Sequence, residues 1–258
     1  MDGLTVYTVI LNHYDILRPP EIVNSKARYI CFSDVPMPKV DPWEIQPCPQ
    51  LLGDPSRDSR IPKLLPHLVP QLMDSDCSIY CDGALSPRCD PFDLVERRLK
   101  NHDIAMYRHP CRECVYQEAA VCMTPPPRGI GMDPGPLQEQ VNRYRAEGHP
   151  EYWGLWAGGV IIRRHTDMIA RLNEDWWRNF IQGSTRDQIA FPPALRPLCI
   201  GICTMPGDIM QCQDFQFRMH ADFREFTDNP PHMEWRDREK ARLGRLREVC
   251  LAHTEVTV

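Results

Sequence analysis

No stretch of this 258-residue chain approaches the roughly 18 consecutive apolar residues that a membrane-spanning helix needs. The run from Leu4 to Leu11 gives way to polar residues, and an acid at position 2 stands where a secretory signal carries basic charge. Excess charge is missing too. A formal net charge of −5 supplies no general attraction to nucleic acid or to an anionic membrane, although it leaves room for a local basic groove. No Ser/Gly linker, charge block or internal repeat divides the chain. These absences leave one domain over residues 1–258, expected to be soluble and cytoplasmic. Its composition is that of an ordinary globular protein, 42% hydrophobic and 25% charged, and its length allows a sizeable core.

Twelve cysteines and 26 prolines are present instead. Cys111 and Cys114 form a C-x-x-C pair, and Cys199 and Cys203 a C-x-x-x-C pair. A four-thiolate zinc site is conceivable, but the pairs lie far apart and neither sits in a Gly-rich knuckle. Cys111, Cys114 and Cys122 fall among Val115, Ala119, Ala120 and Val121, where small thiols pack well. Reduced thiols are the expectation for a large chain without an export signal.

Apolar patterning alternates between strands and helices, which predicts a mainly parallel α/β sheet flanked by helices. Leu4–Leu11, Arg28–Ser33, Cys77–Cys81, Asp103–Arg108 and the segment "GLWAGGVIIRR" read as strands. Helices are predicted over Ile61–Leu72, Pro91–Lys100 with Asp90 as N-cap, Arg112–Val121, Leu137–Glu147 and Thr166–Phe180. A further helix, capped by Ser184, is expected to stop by Pro192. The core spans about 4–225, with a charged helix at about 235–251. Between Asp34 and Ser59 the prolines are too frequent for regular structure.

Polar residues gather at strand ends and helix starts, where open α/β sheets bind ligands. Asp34 and Asp82 close strands; Tyr14 and Asp15 follow the first strand. Arg60 and Lys63 stand at a helix start, where cations suit phosphate. His109 and Arg112 flank the end of "DIAMYRHP". Gly158 and Gly159 open a strand and allow close approach of backbone to a ligand. Arg186, Asp187 and Gln188 occupy a helix's first turn, and Trp176 and Trp177 lie mid-helix, one expected in the core and one beside the site. Each of these also has an ordinary structural explanation, as a cap, a solvated charge or packing.

The ordered segments "YTVILNHYD", "YICFSD", "SRIPKLLPH", "SIYCDGALSP", "RHPCRECVYQEA", "GLWAGGVIIRRH" and "WWRNFIQGSTRDQIAF" together resemble a glycosyltransferase-like family. That family, formerly described only as a domain of unknown function, includes plant mucilage-related and bacterial polysaccharide-cluster members. The resemblance covers about residues 5–225 and rests on the joint pattern R-H-P-x-R, W-W and R-D-Q. It implies a single GT-A-like, Rossmann-like domain that transfers a sugar from a nucleotide-sugar donor to a hydroxyl acceptor, a glycan first. Asp82 matches the strand-end aspartate of the D-x-D metal motif, but Ala84 stands where a second ligand is often found. A divalent cation, Mn2+ or Mg2+, would then rest on Asp82 and His220, or give way to Arg60 and Lys63. Asp187 becomes the candidate base or donor-sugar contact, with His109 orienting the acceptor. Tyr14, Asp15, Asp34, Gly158, Gly159, Arg186 and Gln188 complete the expected donor site.

Two other readings stay open. A transferase acting on hydroxymethylated DNA bases would use a basic stripe of Arg143, Arg145, Arg163 and Arg164. A non-catalytic nucleotide-sugar-binding protein would be consistent with Ala84.

Overall fold

A computed structural model describes residues 3–126, 128–218 and 244–252. The first half contains β1 (Leu4–Ile10), β2 (Arg28–Ser33), β3 (Glu44–Pro47), α1 (Pro55–Asp58), α2 (Arg60–Leu64), β4 (Cys77–Cys81), β5 (Leu85–Pro87), α3 (Pro91–Arg98) and β6 (Ile104–Arg108). Then follow α4 (Val115–Met123), α5 (Pro134–Ala146), β7 (Trp156–Arg164), α6 (Asp167–Ile181), α7 (Asp187–Leu195), β8 (Cys203–Met205), β9 (Phe215–Phe217) and a C-terminal helix, Gly244–Leu251. Seven strands form one sheet in the order β3-β2-β1-β4-β7-β6-β8. Only β7 among them runs backwards, antiparallel to both β4 and β6. This is the α/β, mainly parallel, helix-flanked architecture that the alternating pattern predicts. β5 and β9 pair separately and antiparallel.

Period-two alternation sorts side chains to the two faces of the sheet. Tyr7 joins Ile61, Leu64, Trp176 and Phe191 under α2, α6 and α7. Its neighbour Val6 joins Leu94, Val95 and Phe215 on the α3 side. A satellite core between α4 and α5 collects Val115, Ala119, Leu137 and Val141, with Ile189 from α7.

Several expectations need correcting. The segment between Asp34 and Ser59 is not irregular throughout. β3 forms a parallel sheet edge on β2 and ends in Pro47, an edge position where a missing N–H costs little, and Asp54 caps α1 by accepting from Ser56 N at 2.9 Å. The helix expected over Ile61–Leu72 is cut at Leu64 and continues as a 3-10 turn, Pro66–Leu68, because Pro66 cannot supply the next helical N–H. Ser184 does not cap α7; the cap position is Arg186, and the Ser184 hydroxyl bonds Gln140 Oε1 at 2.9 Å instead. Nor does α7 stop at Pro192. It runs to Leu195 because Phe191 stacks on Trp176 at 4.5 Å and Ala194 and Leu195 are buried; packing outweighs two missing N–H groups. Of the helix expected at about 235–251, residues 235–243 lie outside the described residues. No helix of the described residues is long and apolar enough to cross a membrane.

Two histidines, His149 buried and His165 half-buried, set an acid limit on the fold. His149 packs on Tyr116, Tyr144 and Trp153, and burial, helped by Arg196, holds it down at about 4. Burial, with Arg163 and His67 nearby, holds His165 at about 3. Unfolded, each titrates near 6.5, so the unfolded chain takes up protons that the folded chain refuses. Their stabilising effect is whole above about pH 6.5 and is lost as pH falls towards 4 for His149 and towards 3 for His165. For His149 that is roughly 3 kcal/mol, at about 1.4 kcal/mol per unit. Urea midpoints should therefore fall between pH 7 and 4.5, and less steeply in His149→Gln. A midpoint flat across that range would refute neutral burial.

Candidate functional site

The carboxyl ends of β1 and β4 open into a cavity of about 430 Å³, lined among others by Tyr14, Asp15, Arg60, Asp82, Gly83 and Arg186. The chain turns out of β1 through two left-handed residues, Asn12 (φ 54°) and His13 (φ 51°). Asp34 holds this turn by accepting from Asn12 N at 2.8 Å. Tyr14 then stands at the rim, 62% exposed. Asp15 is buried, lines the cavity and braces its rim by accepting from Ile16 N and Arg18 Nη1 at 2.8 and 3.0 Å.

Beneath the cavity lies a buried ion cluster. Lys63 Nζ sits 2.6 Å from Asp187 Oδ2 and 3.7 Å from Asp82 Oδ1, and Arg60 Nε is 4.0 Å from the same Asp187 oxygen. Lys63 and Asp187 are almost fully buried, whereas the Asp82 side chain is 41% exposed. Tyr80 donates its hydroxyl to Asp82 Oδ1. Burial alone would raise the Asp187 carboxyl, but Lys63, Arg60 and Arg186 together hold it at about 2. α6 fixes its backbone, because Trp176 Nε1 donates to the Asp187 carbonyl at 2.8 Å.

β7 is shaped around this cluster. Its pairing with β6 slips between Met106, opposite Ile161, and Tyr107, opposite Ala157. Gly158 and Gly159 fall in the resulting bulge. A Cβ on Gly158 would lie 3.2 Å from Lys63 Nζ and 3.3 Å from Asp187 Oδ2; one on Gly159 would lie 2.9 Å from Ile209 Cδ1. The glycines therefore admit the chain's own side chains.

A second charged group lies behind α4. Glu118 is fully buried, and it accepts from Arg186 Nε at 2.8 Å and from Arg112 Nε. Burial would raise its carboxyl, but Arg186 and Arg112 hold it below the usual range. His109 Nε2 faces it at 3.6 Å. The backbone N–H groups of Cys111 and Arg112 both point at His109 Nδ1, at 3.2 Å, so Nδ1 accepts, and Arg112 Nη2 lies 3.2 Å from Nε2. Burial keeps this imidazole below its ordinary pKa, hence neutral near pH 7. On its other side, His109 borders a larger cavity of about 640 Å³ at the ends of β6 and β8.

The structure thus brings together Tyr14, Asp15, Arg60, Lys63, Asp82, Arg186 and Asp187 around one cavity. Asp34 supports its rim from outside, and Gln188 is half-buried beside Asp187 without lining the cavity. Both Trp176 and Trp177 are fully buried and neither lines the cavity; Trp176 meets the site only through the Asp187 carbonyl. Lys63 and Arg60 act through side chains on a five-residue helix, too short for a helix-end phosphate site. Glu118 went unnoticed in the sequence, although a lone acid within "VYQEAAVC" is the signal that could have found it. The basic stripe does not form. Arg163 is fully buried, and Arg143, Arg145 and Arg164 each face an acid, at 4.0, 4.0 and 3.6 Å.

A divalent ion needs about six oxygen ligands in a hard shell. Among the described residues no group of three His, Cys, Asp or Glu could hold one, and the open carboxylate Asp82 already faces an ammonium group. His220 lies outside the described residues. The described residues thus do not by themselves fit a metal centre.

Residues 39–219 match the TOD1/MUCI70 glycosyltransferase-like domain. No curated protein matches the chain in sequence. Among solved structures it is similar to the WbbM bifunctional glycosyltransferase, at 13% identity and TM-score 0.43, over 80% of this chain and 39% of that one. It is also similar to mouse xyloside xylosyltransferase 1, at 10% identity and TM-score 0.45, over 79% and 85%. The chain therefore spans well under half the length of the first of these proteins.

Proposed function

The chain belongs to the TOD1/MUCI70 glycosyltransferase-like family, and from this premise we propose that it moves a sugar from a nucleotide-sugar donor to an acceptor hydroxyl. The observation that carries this reading is the pair of arginines in the wall of the smaller cavity, beside the acids Asp15 and Asp82. Arg60 and Arg186 line it with side chains 30% and 32% exposed, and Lys63 lies just beneath. Glycosyl transfer expels a nucleoside diphosphate, and fixed positive charge at that leaving group lowers the barrier. Arginine forks bind such oxygens in pairs. Tyr14, exposed at the mouth, offers a ring face to the base.

The bond changes then follow. The acceptor oxygen joins the anomeric carbon as the carbon–phosphate-oxygen bond breaks, and its electron pair leaves with the diphosphate. Asp187, paired and held at about 2, and His109, with Nδ1 already engaged, are both poor proton acceptors. We assign Asp187 to holding Lys63 and Arg60, and His109 to holding the turn after β6. The hydroxyl proton passes to an oxygen of the leaving diphosphate, which puts the acceptor on the face that the leaving group departs from.

A panel of nucleotide sugars screened by thermal shift tests the reading, because a ligand stabilises according to its concentration over Kd. Arg60→Ala should weaken the best binder roughly 10- to 100-fold in calorimetry, the loss of one charge-assisted hydrogen bond, with little change in melting temperature. Equal affinity in wild type and variant would remove Arg60 from the site. Binding without nucleotide release would mark a non-catalytic binding protein.

A further inference from the structure

Glu118 joins two cavities that share no lining residue. Its carboxylate holds Arg186, which lines the 430 Å³ cavity, and Arg112, which lines the 640 Å³ cavity. Asp187 follows Arg186 in the chain and holds Lys63, which faces Asp82. The result is a row of alternating charge: Arg112, Glu118, Arg186, Asp187, Lys63, Asp82. Its acids Glu118 and Asp187 and its ammonium Lys63 are buried, while Arg112 and Arg186 keep 22% and 32% of their side chains open. Such a row holds the two arginines, one from each cavity wall, on a single buried carboxylate.

The larger cavity has its own character. Arg108 is paired with Glu113 at 3.3 Å, and Arg112 with Glu118. Asp208 is turned back onto the backbone N–H of Met210 at 2.9 Å, and Thr204 Oγ1 accepts from Trp156 Nε1 at 3.1 Å. Two arginines thus stand against two acids in the wall, Glu113 and Asp208, with Glu118 buried behind. Arginine donors and carboxylate acceptors side by side in one wall suit a hydroxyl-rich molecule, because each hydroxyl both donates and accepts.

Resting on the glycosyltransferase reading above, we propose that the larger cavity is the acceptor subsite, that it takes a neutral polyhydroxylated acceptor, and that Glu118 is the positioning residue that aligns it with the donor cavity. Glu118 touches neither substrate. It acts through Arg112 and Arg186, so that an acceptor oxygen in one cavity meets the anomeric carbon in the other.

The test uses the full chain, the nucleotide sugar that binds most tightly, and a panel of methyl hexosides and pentosides as acceptor probes. Wild type should release nucleotide at least ten-fold faster with one or more glycosides than with water alone. Cys111→Trp, which puts bulk into the larger cavity from an exposed position, should abolish that stimulation while donor affinity in calorimetry stays within two-fold. Glu118→Gln should lower donor affinity several-fold and raise the glycoside KM at least ten-fold, with Glu118→Asp partly restoring both. A purely structural role would lower the melting temperature without that KM shift. If Glu118→Gln does not fold, Arg112→Gln, which leaves the Glu118–Arg186 pair intact, should raise the glycoside KM alone. Stimulation that survives Cys111→Trp, a wild type that ignores every glycoside, or an unchanged KM in Glu118→Gln overturns the proposal. A wild type that binds no nucleotide sugar overturns instead the reading beneath it.

Discussion

Asp187→Asn should cost the fold about 3–5 kcal/mol, the usual cost of removing one partner of a buried ion pair, and should abolish turnover. The amide keeps the volume, but Lys63 is left as a buried ammonium ion with no carboxylate within 3 Å, because Asp82 stands 3.7 Å away and faces water. The same pair predicts a pH dependence. The carboxyl is held at about 2 in the fold and titrates near 3.9 when unfolded, so its stabilisation is complete above about pH 4 and lost as pH falls through 2. That window lies below that of His149 and overlaps that of His165 between about pH 4 and 3, so comparing wild type with the Asn variant in urea titrations at pH 7, 5 and 3 separates the carboxyl's share from the histidines'. Adding Lys63→Met to the Asn variant should recover stability, since an uncharged pair of side chains leaves no orphaned ion, but it should not recover donor affinity. A single Asn variant that melts like wild type and turns over within a few-fold would show that the pair carries neither role.

The strands and the polar residues that line one cavity were legible in the sequence because each obeys a local rule. Cys77–Cys81 is a short β-prone run closed by Asp-Gly, Asp90 is a good cap before Pro91, and the acids stand at strand ends and the cations at helix starts, where α/β sheets gather polar groups. What could not be read is what depends on distant partners. "GSTRDQ" looks like a Ser-capped helix, but Gln140, from a helix over 40 residues earlier, claims the Ser184 hydroxyl. Asp187 looks like a free first-turn acid, and only the fold brings Lys63 to it across 124 positions. The double proline in α7 reads as a helix stop until Trp176 is placed under Phe191. Glu118 and Arg163 escaped for one reason: a charged residue within an apolar segment is read as facing solvent until its buried partner is known.

Arg163→Ala should be the second large loss. β7 turns Ile161 and Arg163 to the same side of the sheet, and Arg163 enters the core fully buried. It donates through Nη1 to Asn173 Oδ1 at 2.8 Å, and through Nη2 to Tyr7 Oη at 3.1 Å and to the Lys63 carbonyl. None of these partners is a carboxylate, so three neutral dipoles carry the charge, and burial pulls its pKa below the ordinary arginine value. Tyr7 keeps its own bond to the Pro62 carbonyl, but truncation orphans Asn173 Oδ1 and the Lys63 carbonyl. At about 1–3 kcal/mol for each buried group left unpaired, the expected loss is about 2–6 kcal/mol. Arg163→Lys should fall between, because one ammonium group cannot reach α6, β1 and α2 with the spread of a guanidinium fork. Function should follow stability here, since the carbonyl that Arg163 grips belongs to the residue whose ammonium group faces Asp82 and Asp187. Donor affinity measured well below the melting temperature should therefore fall in both variants. A loss under 1 kcal/mol with unchanged affinity would show that Arg163 is replaceable by any residue that fills its volume.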